Sequence, residues 1–336
     1  MIESRTISDY AKPTPIAEGI LRLRVRLPLA LDHVNLWLCD DGDGWTIVDT
    51  GYGDAPTRQV WRSLLGGVLG HRPVRRVLVT HFHPDHAGQT GWLCRETGAE
   101  LWMSRTEWLM HRAIALDTTE ASVAATERCY RQAGLAEEIV ARQVRRGNAY
   151  RQVVSEPPPT FTRIVAGQHL TLAGSTWQVL IGQGHAPEQV TLWCAERNLL
   201  IAADQILPRI SPVVGVWPAE PQADPLRDFL DSLQQYRVLP ETCDVLPSHG
   251  MPFTGLHARL TELAAHHDER LERTLAACAM PASAAAVLQA LFPRPLDAHQ
   301  TGFALAETLA HLNRLLGLGL LTRGPGSGGV LLYQRR

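Results

Sequence analysis

The segment His81–His86 carries residues whose types and spacing suit the binding of metal ions. It reads H-F-H-P-D-H, an instance of the pattern H-x-H-x-D-H. Imidazole nitrogens and carboxylate oxygens are the ligands that Zn²⁺ and Fe²⁺ accept. The spacing lets His81 and His83 converge on one ion, while Asp85 and His86 lie one step round the turn and can face a second. Two adjacent ions can lower the pKa of a shared water towards ~7, so the segment predicts metal-dependent hydrolysis.

Three more candidate ligands lie directly after other hydrophobic, strand-like runs. His185 follows Trp177–Ile181, Asp204 follows Leu199–Ala203, and His249 follows Asp244–Leu246. The segment His81–His86 likewise follows the β-branched run Val74–Thr80. Because rigid strand ends present side chains to a cleft, we expect these groups to come together. Five histidines and two aspartates would then form a seven-ligand site for two metal ions.

The order of these ligands resembles that of the metallo-β-lactamase superfamily, over about residues 15–255, and Asp49-Thr-Gly51 resembles the turn that precedes the motif. The resemblance implies that the first ion is bound by His81, His83 and His185, the second by Asp85, His86 and His249, and that Asp204 bridges the two. It also implies catalytic roles for Asp85 and Asp204, and a role for Asp49 in orienting a ligand histidine. No cysteine stands at a ligand position, unlike in one subclass of β-lactamases.

The elements around these residues alternate between strand-like and helix-like patterns, which predicts an α/β fold. Strand-like stretches cover residues 19–48, 74–80, 163–165, 169–172, 177–181, 190–194, 199–203 and 244–246, and helices are predicted over 56–69, 88–97 and 224–238. Ser104 to about Arg146, rich in Ala, Glu and Arg, is predicted as a long helical stretch broken near Gly134. The expected architecture is the four-layer αββα sandwich of the superfamily, with a helical cap over about residues 104–150.

The last 80 residues have a different pattern. Helices are predicted over Leu256–Cys278, Ala282–Leu291 and Ala298–Leu316, followed by strands at Leu318–Thr322 and Val330–Tyr333 around a Gly-rich turn. This layout resembles the winged-helix appendage of the β-lactamase-like-protein-2 group, which includes a metal-dependent endoribonuclease. We therefore predict a catalytic domain over 15–255 and a winged-helix-like C-terminal domain over 256–336.

Charge argues against a nucleic-acid partner. The chain has 32 Lys+Arg against 34 Asp+Glu, and residues 255–336 contain eight arginines and no lysine against six acidic residues. A nucleic-acid-binding domain is usually strongly basic. We predict that this module packs against the catalytic domain or serves a homo-oligomer interface. No apolar run approaches the ~18 residues that span a membrane, and no signal peptide is recognised, so the prediction is a cytoplasmic protein with reduced cysteines.

The predicted function is hydrolysis of a small ester-like substrate (a thioester, a lactone or a related carbonyl compound) by a metal-bridging hydroxide. The cofactors would be two divalent ions, Zn²⁺ by expectation, with Fe or Mn as alternatives. The competing functions are a metal-dependent endoribonuclease or phosphodiesterase, a mononuclear iron oxidoreductase of the persulfide dioxygenase type, and a non-catalytic nucleic-acid-binding regulator. Hydrolysis of β-lactams is disfavoured because no secretion signal is recognised.

Substrate contacts must come from outside the metal ligands. Arg209 is predicted to bind substrate because it follows Asp204 closely. The histidines on helical stretches are predicted to be surface or packing residues: His111, His266, His267, His299 and His311. His33 and His169 receive no role.

Overall fold

Two β-sheets form the centre of the structure, a computed structural model that describes residues 10–336, apart from the side chains at positions 298 and 299. The first sheet has seven strands in sequential order: β1 (Thr14–Ala17), β2 (Ile20–Arg26), β3 (His33–Asp40), β4 (Trp45–Val48), β5 (Val74–Leu78), β6 (Glu100–Met103) and β7 (Thr162–Arg163). The second sheet has five strands in the order β12-β11-β10-β9-β8: β8 (His169–Leu172), β9 (Ser175–Gly182), β10 (Gln189–Cys194), β11 (Leu199–Ala203) and β12 (Asp244–Pro247).

Ten α-helices accompany the two sheets, and several of them pack on the outer faces of the sheets. They are α1 (Ala55–Leu65), α2 (Pro84–Ala87), α3 (Thr90–Thr97), α4 (Arg105–Leu116), α5 (Glu120–Gln132), α6 (Glu137–Arg146), α7 (Pro225–Gln235), α8 (Leu256–Ala277), α9 (Ala284–Leu291) and α10 (Ala298–Gly317), all among the described residues. No helix among the described residues combines the length and the apolar character needed to cross a membrane.

Hydrophobic side chains on both faces of each sheet divide the molecule into four layers. Between the sheets, one core contains Trp37, Val48, Leu78, Val179, Leu192 and Ile201. Outside the first sheet, Ile47 and Val77 pack with residues of α1 and α3. Outside the second, Leu200 and Val245 pack with residues of α7 and α8. Because neighbouring positions of a strand face opposite ways, burial of both faces explains the nearly continuous apolar runs in the sequence.

The predicted elements differ from the structure in several places, and at the C-terminal end the predicted helix Ala282–Leu291 begins only at Ala284 and the predicted strand Leu318–Thr322 only at Leu321. The single helical stretch after Ser104 consists of the three helices α4, α5 and α6, because Asp117–Thr119 and Gly134 interrupt the helical backbone. The first helix ends at Leu65 rather than Leu69. Strand β6 was not predicted, and it pairs in parallel with β5.

The C-terminal residues form three helices (α8–α10) and an antiparallel three-stranded sheet, which together we call the C-terminal module. The strands are β13 (Ala282–Ser283), β14 (Leu321–Pro325) and β15 (Leu331–Arg335), in the order β13-β15-β14. A separate hydrophobic core lies between these elements, and Ala133, after α5, belongs to it. The module therefore packs against the helical insertion.

Candidate metal centre

The candidate ligands meet where four strands end. His81, His83, Asp85 and His86 follow β5, His185 follows β9, Asp204 follows β11, and His249 follows β12. Strands β9 and β11 both pair antiparallel with β10, and β12 pairs in parallel with β11, so β9, β11 and β12 run in the same direction. Their carboxyl ends therefore lie at one edge of the second sheet, facing the loop after β5. The structure brings all seven predicted ligands together.

Three histidines point one ring nitrogen each at a common position. His81 Nε2 lies 3.1 Å from His83 Nδ1, His83 Nδ1 lies 3.0 Å from His185 Nε2, and His185 Nε2 lies 3.3 Å from His81 Nε2. A tetrahedral zinc ion with Zn–N bonds of about 2.0–2.1 Å places its nitrogen ligands roughly 3.3 Å apart. The three nitrogens therefore have the spacing of one face of a metal tetrahedron.

Asp204 lies between this group and a second one. Its Oδ2 is 3.4 Å from His185 Nε2 and 3.5 Å from His86 Nε2, and its Oδ1 is 3.3 Å from His249 Nε2. On the far side, Asp85 Oδ2 is 3.4 Å from His249 Nε2 and 3.6 Å from His86 Nε2. Among the described residues, the groups able to hold an ion are His81–His83–His185, His81–His86–Asp204 and Asp85–His86–His249. The first and third of these groups contain the residues that the resemblance assigns to the first and second ion, and the other group joins Asp204 to a histidine of each.

Two buried atoms of this cluster have no hydrogen-bond partner among the described residues: His86 Nε2 and Asp204 Oδ1. Buried polar atoms are nearly always satisfied, so each such exception requires an explanation. Asp204 Oδ1 offers a lone pair, as His86 Nε2 does once its ring is neutral, and a divalent cation would satisfy both atoms. The donor set fits a metal centre.

In four of the five rings, the nitrogen that faces away from the cluster contacts a neighbouring group. The Nδ1 atoms of His86, His185 and His249 donate to Asp49 Oδ2 (2.8 Å), the Val213 carbonyl (2.8 Å) and the His33 carbonyl (2.7 Å). When such a ring is neutral, as a metal ligand must be, Nδ1 keeps the proton of this hydrogen bond and Nε2 presents its lone pair to the ion. His81 Nδ1 lies 3.0 Å from Thr80 Oγ1.

Asp49 is buried directly behind the motif. Its Oδ1 accepts from the Thr80 backbone N–H at 2.8 Å, and its Oδ2 accepts from Thr80 Oγ1 at 2.9 Å as well as from His86. The residue has a positive φ of 64°, which aspartate tolerates better than most residues. These contacts support its proposed role in orienting His86.

The electrostatics of the cluster separate the histidines into two kinds. Burial, reinforced by neighbouring histidines, lowers the pKa of His83 to about 3 and that of His81 well below its usual value. Burial acts the same way on His249, but the charges of Asp204 and Asp85 outweigh it and raise its pKa to about 10. The same carboxylates, with Asp49, raise the pKa of His86 well above its usual value.

The two aspartates are ionised. Burial raises the pKa of Asp85, but His86 and His249 outweigh it and hold that pKa at about 2. The pKa of Asp204 is likewise held well below its usual value by His249 and His86 against the effect of burial. Metal ions bind carboxylates in this form.

The uptake of metal should therefore release protons mainly from one side of the cluster. In the metal-free protein His249 stays protonated as the pH rises towards about 10, and the raised pKa of His86 keeps that ring protonated too at about pH 7. An ion must displace these protons, whereas His81 and His83 are already neutral. We expect loading with Zn²⁺ at about pH 7 to release about two protons, and the affinity to rise with pH. Calorimetric titration in buffers of different ionisation enthalpy measures both, and equal affinities at about pH 6 and about pH 8 would contradict the assignment.

His33 is a structural support of the site that the sequence did not reveal. Besides holding the His249 ring through its carbonyl, it accepts from the Gly250 backbone N–H at Nε2 (2.9 Å) and contacts Asp32 Oδ1 through Nδ1 (2.7 Å). It thereby fixes the turn that carries His249. No spacing in the sequence links His33 to a residue more than 200 positions away.

Among the described side chains, the other histidines belong to none of the three groups able to hold an ion. His111, His267 and His311 are buried, in agreement with a packing role, and burial lowers the pKa of His267 to about 3 and that of His311 to about 4. His266 is half-buried, and the side chain of His299 lies outside the described residues.

Arg209 is exposed. In the part of the chain that the structure describes, its side chain makes no hydrogen bond or ion pair. Its predicted contact with substrate stays a prediction.

The segment 205–217, which follows Asp204, connects the candidate ligands to the C-terminal module. Its Val213 carbonyl holds the His185 ring, while the Val216 N–H donates to the Ala306 carbonyl of α10 at 3.0 Å. Arg259 of α8 donates to the carbonyls of Leu207 and Ile210 at 2.6 and 2.9 Å. The module thus contacts the segment that orients a candidate ligand.

Comparison with known proteins agrees with this geometry. Residues 29–249 match the family model of the metallo-β-lactamase superfamily, and residues 271–336 match that of the metallo-β-lactamase-like C-terminal domain. The "Probable metallo-hydrolase YqjP" of Bacillus subtilis (strain 168) is 26% identical over 310 residues, covering 89% of this chain and 92% of that protein.

Two solved structures resemble the whole chain. A β-lactamase domain protein from Burkholderia ambifaria has a TM-score of 0.91 and 39% identity, covering 99% of this chain and 97% of that one. The metallo-β-lactamase family protein TTHA1429 from Thermus thermophilus has a TM-score of 0.80 and 32% identity, covering 95% and 99%. With the family model spanning most of the chain and the ligands assembled at the strand ends, the protein belongs to the metallo-β-lactamase superfamily.

Proposed function

We propose that this protein is a metal-dependent hydrolase that uses two divalent ions. The observation that carries the proposal is the buried, unpartnered Nε2 of His86, which faces Asp204 next to the three-histidine group. His81, His83 and His185 would hold one ion, and Asp85, His86 and His249 the other, with Asp204 between them. Such ions supply Lewis acidity and lower the pKa of water towards ~7.

The chain itself would position the ions and manage the proton. Anchored Nδ1 atoms keep the imidazole rings aimed at the ions, so little reorganisation is needed during reaction. Asp85 is the more exposed aspartate, with 17% of its side chain accessible against 8% for Asp204. Because its carboxylate is ionised, Asp85 is the group suited to take the proton of the attacking water.

We propose a small ester-like substrate: a thioester, a lactone or a related carbonyl compound. The near-neutral charge of the chain supports this class over nucleic acid. The alternatives remain a metal-dependent endoribonuclease or phosphodiesterase and a mononuclear iron oxidoreductase. A substrate contact by Arg209, zinc as the native metal and a cytoplasmic location belong to the same proposal.

The C-terminal module is proposed to be winged-helix-like and to support the catalytic part. Its three helices and β13-β15-β14 sheet are typical of that fold. Its last helix, α10, is the one that would enter the DNA groove in a winged-helix DNA-binding protein, but here it is docked on its own chain. Asn313 donates to the carbonyls of Pro221 and Ala223 at 3.1 and 2.8 Å, and Arg314 lies 3.4 Å from Asp224. This docking favours a module that stabilises the catalytic part over a module that binds nucleic acid.

The proposed function is tested with protein loaded separately with Zn²⁺, Mn²⁺ or Fe²⁺. Each preparation is screened in parallel against thioesters, lactones, phosphodiesters and single-stranded RNA, with metal-free protein as the control. We expect hydrolysis of a carbonyl substrate that requires the loaded metal. Cleavage of RNA alone would favour the endoribonuclease alternative, and one iron per chain with oxygen consumption would favour the oxidoreductase; either result would overturn the proposed substrate class.

A further inference from the structure

Glu107, in the first turn of α4, joins the two loops that supply the three-histidine group. Its buried carboxylate accepts the Phe82 N–H at Oε2 (3.0 Å) and the Glu188 N–H at Oε1 (2.7 Å). Phe82 lies between His81 and His83, and Glu188 lies three residues after His185. One planar carboxylate, with one oxygen for each loop, therefore sets the distance between segments that come from different sheets.

Tyr150, which follows α6, holds the other side of the same peptide. Its hydroxyl lies 2.5 Å from the Phe82 carbonyl, which can only accept, so the tyrosine donates its single proton there. His111 Nδ1 lies 2.6 Å from the same hydroxyl and must therefore be the donor to it. With its proton on Nδ1, the neutral His111 ring has no proton on its buried Nε2, and this atom has no hydrogen-bond partner among the described residues. Both backbone groups of Phe82 are thus bound by the helical insertion.

The loop after His185 is also held by several hydrogen bonds to the helical insertion. The Glu188 carboxylate accepts the Thr106 N–H at 2.7 Å, and the Glu188 carbonyl accepts the Ser104 hydroxyl at 2.8 Å. Together with the Glu107 contact, three hydrogen bonds tie this loop to the start of α4. The start of α4 therefore has little freedom to move relative to either loop.

We propose that Glu107 and Tyr150, which we call the Glu107–Tyr150 clamp, are positioning residues that set the geometry of the three-histidine metal site. The inference rests on the proposed metal centre. His83 Nδ1 and His185 Nε2 are 3.0 Å apart although 102 residues separate them in the chain. The structure shows no backbone group, among the described residues, that hydrogen-bonds to both rings. The distance between them therefore depends on how the loop after β5 and the loop after β9 are held. The helical insertion thus has a role in metal binding as well as any role over the substrate.

The clamp is tested by metal affinity and by the spectrum of Co²⁺ bound in place of the native metal. Tyr150→Phe removes one hydroxyl, and Glu107→Gln places an amide N–H₂ against a backbone N–H. We expect each variant to bind Co²⁺ about 10–100-fold more weakly, the usual effect of losing a group that orients metal ligands, and to show altered d–d absorption bands. Tyr130→Phe, on α5, and Glu307→Gln, on α10, are the matched controls and should leave both readouts unchanged.

Unaltered Co²⁺ affinity and spectrum in Tyr150→Phe would overturn the clamp, and so would equal effects in the control variants. If Glu107→Gln does not fold, Tyr150→Phe decides the result, because it retains the Glu107 contacts. A variant whose metal-free unfolding changes while its cobalt spectrum does not would show a purely structural role and would also contradict the proposal. Since no substrate is used, a wild type that binds cobalt but hydrolyses nothing contradicts the proposed function alone.

Discussion

Replacing Asp204 with asparagine is expected to abolish metal binding and hydrolysis together. Its two oxygens face His185, His86 and His249 at 3.3–3.5 Å, so this one carboxylate contacts both metal groups. Asparagine has nearly the same shape but no charge, and its amide N–H₂ would point at ring nitrogens or ions. Since disturbing even a group that orients a ligand costs about 10–100-fold, loss of the shared ligand should reduce the rate by more than about 100-fold.

Metal content by elemental analysis and the hydrolysis rate are measured on the same preparation of Asp204→Asn. Asp228→Asn is the control, because the Asp228 side chain on α7 is 41% exposed and its carboxylate pairs, among the described residues, with Arg227. His83→Ala should show the same joint loss, through the other metal group. Full activity in a metal-free Asp204→Asn protein would contradict the two-ion mechanism.

Replacing Asp49 with asparagine should weaken metal binding without removing any ligand. The carboxylate accepts three hydrogen bonds, two of them at Oδ2, from Thr80 and His86. An amide nitrogen at the position of Oδ2 would face two donors, so the His86 ring would lose its anchor. We expect metal affinity to fall about 10–100-fold and the free energy of unfolding to fall by about 1–3 kcal/mol.

Asp54→Asn is the matched control for this variant. Asp54 lies five residues further along the same loop and caps α1 by accepting the Thr57 N–H at 2.8 Å. Asparagine is as good as aspartate at this position of a helix, so the control should change neither metal affinity nor stability. If Asp49→Asn lowers the stability but leaves the metal affinity of the folded protein unchanged, then Asp49 supports the fold and does not tune the metal.

Much of the candidate site was predictable because each ligand follows directly after a strand. A strand with both faces buried has a strong apolar pattern, so its end is visible in the sequence, and a histidine or aspartate placed there is conspicuous. The positions after β5, β9, β11 and β12 were all recognised in this way. The helical insertion was also recognised, although its division into three helices was not.

Contacts between distant segments were not predictable. His33 supports His249 across 216 residues, and Tyr150 and Glu107 hold Phe82 across 68 and 25. Most of these contacts involve backbone atoms, and every residue has a backbone N–H or carbonyl, so no residue type or spacing marks the partner. The sequence likewise showed a C-terminal module without showing that α10 docks on the segment that orients His185.

By itself, the sequence determined which residues can bind metal, in which order they occur and that buried strands present them, because residue chemistry and hydrophobic periodicity are local properties. The tertiary structure alone decided that β9, β11 and β12 end at one edge, that Asp204 lies between the two groups, and that His83 offers Nδ1 while His81 and His185 offer Nε2. The physical reason is that the distance between two ligand atoms depends on the packing of two sheets and on the hydrogen bonds between their loops. Those are set only when the whole chain is folded.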